Sequence, residues 1–316
     1  MTPLRAAVIG VGSLGQHHAR VLAALPDVRL AAVVDTKPSR AAEIAARHET
    51  VAFFEARQVI GLVDLVSIAV PTEAHVAVAL PFIEAGIAVL IEKPLAASVA
   101  EAERVVAAAA ARGVILAAGH SERFNPAVAV AQPLIHDPRF IEVHRLGVFP
   151  DRSLDVDVIF DLMIHDLDLL LALVGSEVVS VEAVGVNVLT PRTDIANARL
   201  RFASGCVANL TASRISRERV RKARFFQRDS YVSIDFAAKE VEVYRLGPGA
   251  DRPSIQGGRL DVPDEEPLHR ELADFVAAVR NGRAPSVTGA AGRDALVLAT
   301  RVADAMNAVP ADSRTP

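Results

Sequence analysis

Lys93 stands between a strand-like run and a proline. The apolar stretch Ala88–Ile91 reads as a buried strand, and Glu92-Lys93-Pro94 follows it directly. An ammonium at the carboxyl end of a strand in a parallel sheet points into the crevice where such sheets bind ligands. Base rates favour a trans peptide between Lys93 and Pro94. Further along, Asp161 and His165 fall at i, i+4, which places both on one helix face. Their neighbours Phe160, Leu162, Met163, Ile164 and Leu167 are apolar, so the polar pair is set in a largely buried helix. Asp168 lies a further turn along the same face, while Asp166 points elsewhere. Oxidising a secondary alcohol requires a base to take the hydroxyl proton while hydride leaves the same carbon. It also requires positive charge where alkoxide character develops. Lys93 and the Asp161/His165 pair are residue types suited to both tasks. The structural alternative is an acid–imidazole pair that only satisfies itself inside the fold.

The hydride needs an acceptor, and the N-terminal region offers a place for one. Gly10-Val11-Gly12-Ser13-Leu14-Gly15 follows the first strand and opens a helix. Gly10 permits the tight turn, Gly12 leaves room for a pyrophosphate, and Gly15 lets helix and strand pack closely. Phosphates then sit on the free N–H groups and positive dipole of the helix N-terminus, against Ser13 and Leu14. Asp35, at the end of the second strand, is placed to accept ribose hydroxyls and to repel a 2′-phosphate, which favours NAD over NADP. Lys37 and Arg40 close behind weaken that preference, since either is long enough to reach a phosphate. Pro71, Thr72 and His75 follow the strand Leu65–Val70, again at the carboxyl edge. Thr72 suits the N-cap of the next helix, and His75 faces either the cofactor or solvent. With Glu92 and Lys93 these residues complete the expected cofactor site.

These residues need a frame that holds strand ends together. Residues 4 to 118 alternate apolar runs (Ala6–Ile9, Leu30–Val34, Leu65–Val70, Ala88–Ile91, Val114–Ala118) with helical patterns (Leu14–Leu25, Arg40–Arg47, Ala74–Glu84, Val99–Ala111). Unbroken apolar strands alternating with helices mean a parallel sheet covered on both faces, and right-handed crossovers make it doubly wound. After Gly119 the rhythm changes. A helix is expected from Asn125 to His136, a strand near Ile141–Leu146 and an apolar helix over Phe160–Val174. Strand-like runs then follow: Val178–Leu189, Ile195–Phe202, Cys206–Ile215, Lys222–Phe226, Tyr231–Phe236 and Val241–Leu246. Ser204-Gly205 and Arg228-Asp229 lie at hairpin positions between them. The fold expected is therefore α/β: a Rossmann domain over residues 1–120, then an α+β domain over 121–308 on an open, mostly antiparallel sheet. Gly247–Gly258 reads as a surface loop, Leu268–Arg280 and Arg293–Ala308 as helices open to packing back on the first domain, and 309–316 as a polar tail.

Composition narrows the function classes. Over 316 residues, 51% are hydrophobic and 23% charged, a globular balance. A net charge of −4 gives no field that favours nucleic acid or anionic membranes. The single cysteine, Cys206, excludes an intrachain disulfide and any cysteine-based metal site, and no metal is called for. No apolar stretch reaches the length of a membrane span and no leader pattern precedes the first strand, so a cytoplasmic protein is expected.

With these residues in hand, the chain resembles the Gfo/Idh/MocA family of oxidoreductases over nearly its whole length. The likeness rests on the Gly10–Gly15 turn, Pro71–His75, Glu92-Lys93-Pro94 and the D-x3-H arrangement of Asp161 and His165. It implies Lys93, Asp161 and His165 as the catalytic set, with His165 the acid/base. It also implies an open sheet face that joins subunits into a homo-oligomer, a dimer or tetramer. The segment from Gly119 to Pro126 resembles a narrower group acting on nucleotide-linked amino sugars, of the UDP-N-acetylglucosamine 3-dehydrogenase type. That likeness implies NAD-dependent oxidation at C3 of a UDP-linked amino sugar. His120, Arg123 and Asn125 then border the sugar with Asp161 and His165, although Arg123 and Asn125 are equally suited to cap the next helix. One departure is Leu171-Ala172-Leu173, where many members carry a tryptophan. A diphosphate would need cations, and Arg214, Arg217, Arg219, Arg221, Lys222, Arg224 and Arg228 lie close together in sequence. An exposed charged hairpin is the plainer reading of that segment. Two alternatives stand beside the nucleotide sugar: a dehydrogenase of a free sugar or polyol, and a non-catalytic NAD-binding sensor.

Overall fold

The computed structural model describes residues 2–149, 156–248 and 254–308. They form two compact units, one built from the residues up to Phe124 with Glu266–Leu296, the other from Asn125–Glu265 with the residues from Val297 on.

The first unit opens with β1 (Leu4–Ile9), α1 (Gly15–Ala24), β2 (Val28–Val34), α2 (Pro38–Arg47) and β3 (Val51–Phe53). It continues with β4 (Leu65–Ile68), α3 (His75–Glu84), β5 (Ala88–Glu92), α4 (Val99–Arg112) and β6 (Leu116–Gly119). All six strands pair in parallel, in the order β3-β2-β1-β4-β5-β6. The strand order reverses between β1 and β4, and ligands bind such sheets outside the carboxyl ends at that switch point. β4 and β5 are buried at every position, as strands covered on both faces must be. Val8, Val33, Leu65 and Leu90 of the sheet share a core with Leu22 of α1 and with Leu272 and Phe275. Each such side chain taken fully out of water contributes on the order of 1.5–3 kcal/mol.

The second unit holds α5 (Pro126–Ala131), β7 (Phe140–Leu146), α6 (Ile164–Val174), β8 (Val178–Val186), β9 (Ile195–Phe202) and β10 (Val207–Ser213). It goes on through β11 (Val220–Phe226), β12 (Ser230–Asp235), β13 (Glu240–Gly247) and β14 (Ser254–Leu260). Helix α7 (Pro267–Asn281) belongs to the first unit, and α8 (Gly289–Ala308) begins in the first and continues in the second. Eight strands form one sheet in the order β14-β13-β12-β11-β7-β10-β9-β8. All its pairs are antiparallel except β7 with β10. β9 shows why one face is core: Ala196, Ala198, Leu200 and Phe202 are buried, while Asn197, Arg199 and Arg201 point out.

Several expectations need correction. Strand β3 carries no periodicity because it is three residues long. The expected loop Gly247–Gly258 overlaps β14, whose register on β13 runs from Val241↔Leu260 to Gly247↔Ser254; its glycines hide the strand pattern. The helix from Asn125 gives way to a 3-10 turn at Gln132–Leu134, where Pro133 removes an amide donor. The helix from Phe160 starts as a π turn, Ile159–Met163, before α6. The 309–316 tail lies outside the described residues. Among the described residues no helix is long and apolar enough to cross a membrane.

Candidate active site

The cofactor turn begins where β1 ends. Gly10 has φ +82°, and a Cβ there would lie 2.8 Å from the Ala69 carbonyl oxygen. A Cβ on Gly15 would come within 1.8 Å of the Gly10 oxygen, so helix and turn close on each other only through glycine. A Cβ on Gly12 meets no protein atom within 4 Å, and Ser13 and Leu14 beside it are exposed. Asp35 accepts Val11 N–H at 3.0 Å on one carboxylate oxygen and Lys37 N–H at 2.9 Å on the other. Each oxygen keeps a lone pair for a ligand hydroxyl. Arg40 donates to the Val11 carbonyl at 2.7 Å and to Glu43 at 2.7 Å. Its guanidinium therefore braces the turn and is not held in reserve for a phosphate. An open glycine turn, a helix start and a half-exposed acid fit a dinucleotide.

At the end of β4 the expectations change in detail. Thr72 does not cap α3: the N-cap is Ala74, without a side-chain hydrogen bond, and Thr72 opens a short 3-10 turn after the exposed Pro71. His75 faces neither solvent nor an open site. It is buried, with Nδ1 3.0 Å from the Pro94 carbonyl and Nε2 3.0 Å from the Val70 carbonyl. Burial holds its pKa below the ordinary imidazole range, against the carbonyls and the Glu92 charge that raise it. His75 thus joins the end of β4 to the turn after β5.

That turn carries Lys93, which is half-buried, and its bond to Pro94 is cis, contrary to the base-rate expectation. Glu92, expected at the cofactor, turns its carboxylate inward. One oxygen lies 3.0 Å from His18 Nε2 and the other accepts Lys93 N–H at 3.1 Å. His18 Nδ1 in turn meets Ser67 Oγ at 2.7 Å. Burial pushes the Glu92 carboxyl up, but the His18 hydrogen bond and charge, with Lys93, outweigh it and leave the group below its usual range. Sequence reasoning passed over His18 and Ser67. The available signal was a histidine on the apolar stripe Gly15-His18-Ala19-Leu22 of α1 and a serine within a buried strand.

His120 is buried just after β6, and Arg123 is half-exposed in the 3-10 turn that follows. In the second unit Asn125 is the N-cap of α5. Its Oδ1 accepts Ala127 N–H at 3.0 Å and its Nδ2 donates to the Phe236 carbonyl at 3.2 Å. Its amide thus caps the helix and holds the Phe236 carbonyl, the capping role that the sequence left open beside a place at the sugar. Asp161 sits in the π turn and His165 in the first turn of α6, both half-exposed. Such π turns occur often at functional sites. Behind them Asp166 pairs with buried Arg145 through two bonds, of 2.9 and 2.7 Å, and Asp168 is buried. The arginine segment divides in two. Arg214 is buried, lies 3.5 Å from Asp194 and donates to the carbonyls of Thr193 and Val156, so it is not a phosphate ligand. Lys222 pairs with Asp235 and Arg224 with Glu142, while Arg217, Arg219, Arg221 and Arg228 are exposed.

Residues 4–120 match a family described as oxidoreductases with an NAD-binding Rossmann fold, and residues 135–228 match the Gfo/Idh/MocA C-terminal domain. The UDP-N-acetylglucosamine 3-dehydrogenase of Acidithiobacillus ferrooxidans is 42% identical over 98% of this chain and 99% of its own. The chain belongs to the Gfo/Idh/MocA oxidoreductase family. A solved structure of the Acidithiobacillus enzyme superposes with a TM-score of 0.91, covering 98% of this chain and 99% of that one. The inositol 2-dehydrogenase of Rhizobium meliloti is a more distant relative, 29% identical over 94% of each chain. A levoglucosan dehydrogenase complex with NADH shares the fold at a TM-score of 0.87 and 21% identity, covering 97% of this chain and 98% of that one. The chain is thus an enzyme, a dehydrogenase of this family with a nicotinamide cofactor domain.

Proposed function

We propose that this enzyme uses NAD to oxidise the C3 hydroxyl of a UDP-linked amino sugar, such as UDP-N-acetylglucosamine, to a ketone. The observation that carries the reading is the likeness to the Acidithiobacillus enzyme along the full length of both chains, at 42% identity. Three exposed arginines in the second unit, Arg217, Arg219 and Arg221, add cations suited to a diphosphate. Bound NAD supplies the hydride acceptor. Lys93 hydrogen-bonds the reacting hydroxyl and stabilises negative charge on its oxygen. His165 accepts the hydroxyl proton, and Asp161 orients the imidazole and contacts the sugar. Arg123 binds the substrate. NAD is the cofactor and NADP is disfavoured, because the Asp35 carboxylate stands where a 2′-phosphate would be repelled and Arg40 is engaged by the turn.

Mixing the protein with NAD and UDP-N-acetylglucosamine should form NADH. No turnover, beside clear turnover of inositol or glucose, would sink the substrate. A free polyol is the second reading, favoured by the inositol dehydrogenase relative. Arg219→Glu with Arg221→Glu separates the two: KM should rise for a diphosphate substrate and stay level for a free polyol.

The protein also forms a homo-oligomer through the open face of the eight-stranded sheet. An aromatic row crosses that sheet: Phe140–Phe226 at 5.7 Å, Phe226–Tyr231 at 5.2 Å and Tyr231–Tyr244 at 6.2 Å between ring centroids. Sedimentation of wild type beside Tyr231→Glu should show a dimer or tetramer that the charge breaks; a monomeric wild type removes the idea.

A further inference from the structure

We propose that His18 is a positioning residue for Lys93, acting through Glu92. The proposal rests on the reading of Lys93 as a catalytic group. His18 is fully buried and lies one turn inside α1, the helix that follows the glycine turn. Its Nε2 is 3.0 Å from Glu92 Oε1. An ionised carboxylate only accepts, so the ring nitrogen that faces it at ion-pair distance is the one that carries a proton. The ring is anchored from the other side by Ser67 Oγ, 2.7 Å from Nδ1. Glu92 passes the constraint on, because its second oxygen accepts the Lys93 N–H. A Cβ placed on Gly119 would lie 2.8 Å from Glu92 Cδ, so β6 closes the remaining side of the carboxylate.

The position of this line of bonds matters. The sheet ladder ends at the pair Glu92↔Gly119, so the amide of Lys93 is the first beyond it. The Glu92 side chain gives that amide the acceptor that strand pairing gives the residues before it. A buried carboxylate facing a buried imidazole is no economical way to fill a core, since apolar side chains of the same volume do as well or better for stability. What the pair adds is a close polar contact from α1 to the carboxylate that holds the peptide carrying the ammonium. Small displacements of a reacting group cost large factors in rate.

The test compares His18→Gln with His18→Asn. The Gln amide reaches as far as Nε2 and keeps a donor for Glu92, whereas the Asn amide reaches only as far as Nδ1 and keeps the Ser67 contact. NMR exchange of the Lys93 amide should be about tenfold or more faster in the Asn variant and within about threefold of wild type in the Gln variant, as a lost or kept hydrogen bond dictates. With substrate, kcat should fall about tenfold or more in the Asn variant alone, with KM and NAD affinity changed less than about twofold, the mark of misplacement rather than lost binding. Unchanged Lys93 exchange in the Asn variant, or an equal kcat loss in both variants, overturns the proposal. If wild type turns over no sugar, the reading of Lys93 as catalytic falls, yet the exchange result still decides whether His18 holds the turn. Should His18→Asn fail to fold, Glu92→Leu removes the acceptor without a buried charge. The same faster exchange is then expected, and retained protection refutes the link.

Discussion

The Asp35 carboxylate accepts the backbone N–H of Val11 at 3.0 Å, so the acid at the end of β2 is fastened to the glycine turn after β1. The residue that would read the ribose is thereby held in register with the turn that would hold the phosphates. Replacing Asp35 by Ser removes charge-assisted hydrogen bonds of about 1.5–3 kcal/mol, which corresponds to a KM for NAD roughly 10–100-fold higher. KM for NADP should rise less or fall. Steady-state kinetics with both cofactors check this, and an unchanged KM for NAD would remove Asp35 from the site.

Proton transfer is assigned to His165. His165→Ala should lower kcat about 10²–10⁴-fold, the range for loss of a general base. NAD affinity, measured by fluorescence titration, should stay within about twofold, since the proton path is separate from cofactor binding. Turnover near the wild-type rate would show that another group takes the proton.

Asp194 sets an acid limit on stability. It is buried and accepts the N–H groups of Val188, Leu189 and Thr190 and the Thr190 hydroxyl. Burial raises its pKa, but these donors prevail and hold it down to about 2, from an ordinary value of 3.8. A folded pKa below the unfolded one stabilises the fold above about pH 4, and that stability is lost as pH falls toward about 2. Asp194→Asn should therefore lower Tm clearly at pH 7 and less and less below pH 4. Melting curves across that range check the sign; a difference that grows in acid contradicts it.

Arg145 and Asp166 are both buried and joined by two bonds. Removing one partner strands a charge, so Arg145→Met should destabilise by about 3–5 kcal/mol. The double variant Arg145→Met, Asp166→Leu should recover most of that, since apolar residues of similar volume replace a buried pair at little cost. Denaturant midpoints for the two single variants and the double complete the cycle. Additive losses would mean that the pair is not coupled.

Much of the frame was legible from local pattern. The runs Ala6–Ile9 and Ala88–Ile91 are too short and too apolar to be anything but strands covered on both faces, and the structure has β1 and β5 there. β14 was not legible, because Gln256-Gly257-Gly258 carries neither alternation nor β-branched residues and is a strand only by pairing with β13. Within the candidate site, the positions of Asp35 after β2 and Lys93 after β5 were readable from the strands before them, whereas the burial of His75 and the inward turn of Glu92 were not. Arg214 was not, since a buried and a surface arginine look alike in sequence until their partners are known, and for Asn125 the sequence offered both a cap and a sugar contact without choosing.

The sequence by itself determined the parallel sheet, the glycine turn, the acid after β2 and the lysine after β5, because each is set by periodicity or spacing over a few residues. Tertiary structure alone decided which buried polar groups meet. Ser67 lies 49 residues from His18 in the chain. Nothing in either local pattern names the other, or Glu92, as its partner. The same holds for the parallel pairing of β7 with β10 inside an otherwise antiparallel sheet. Alternation tells which face of a strand is apolar, whereas the neighbour a strand takes depends on how the whole sheet buries that face.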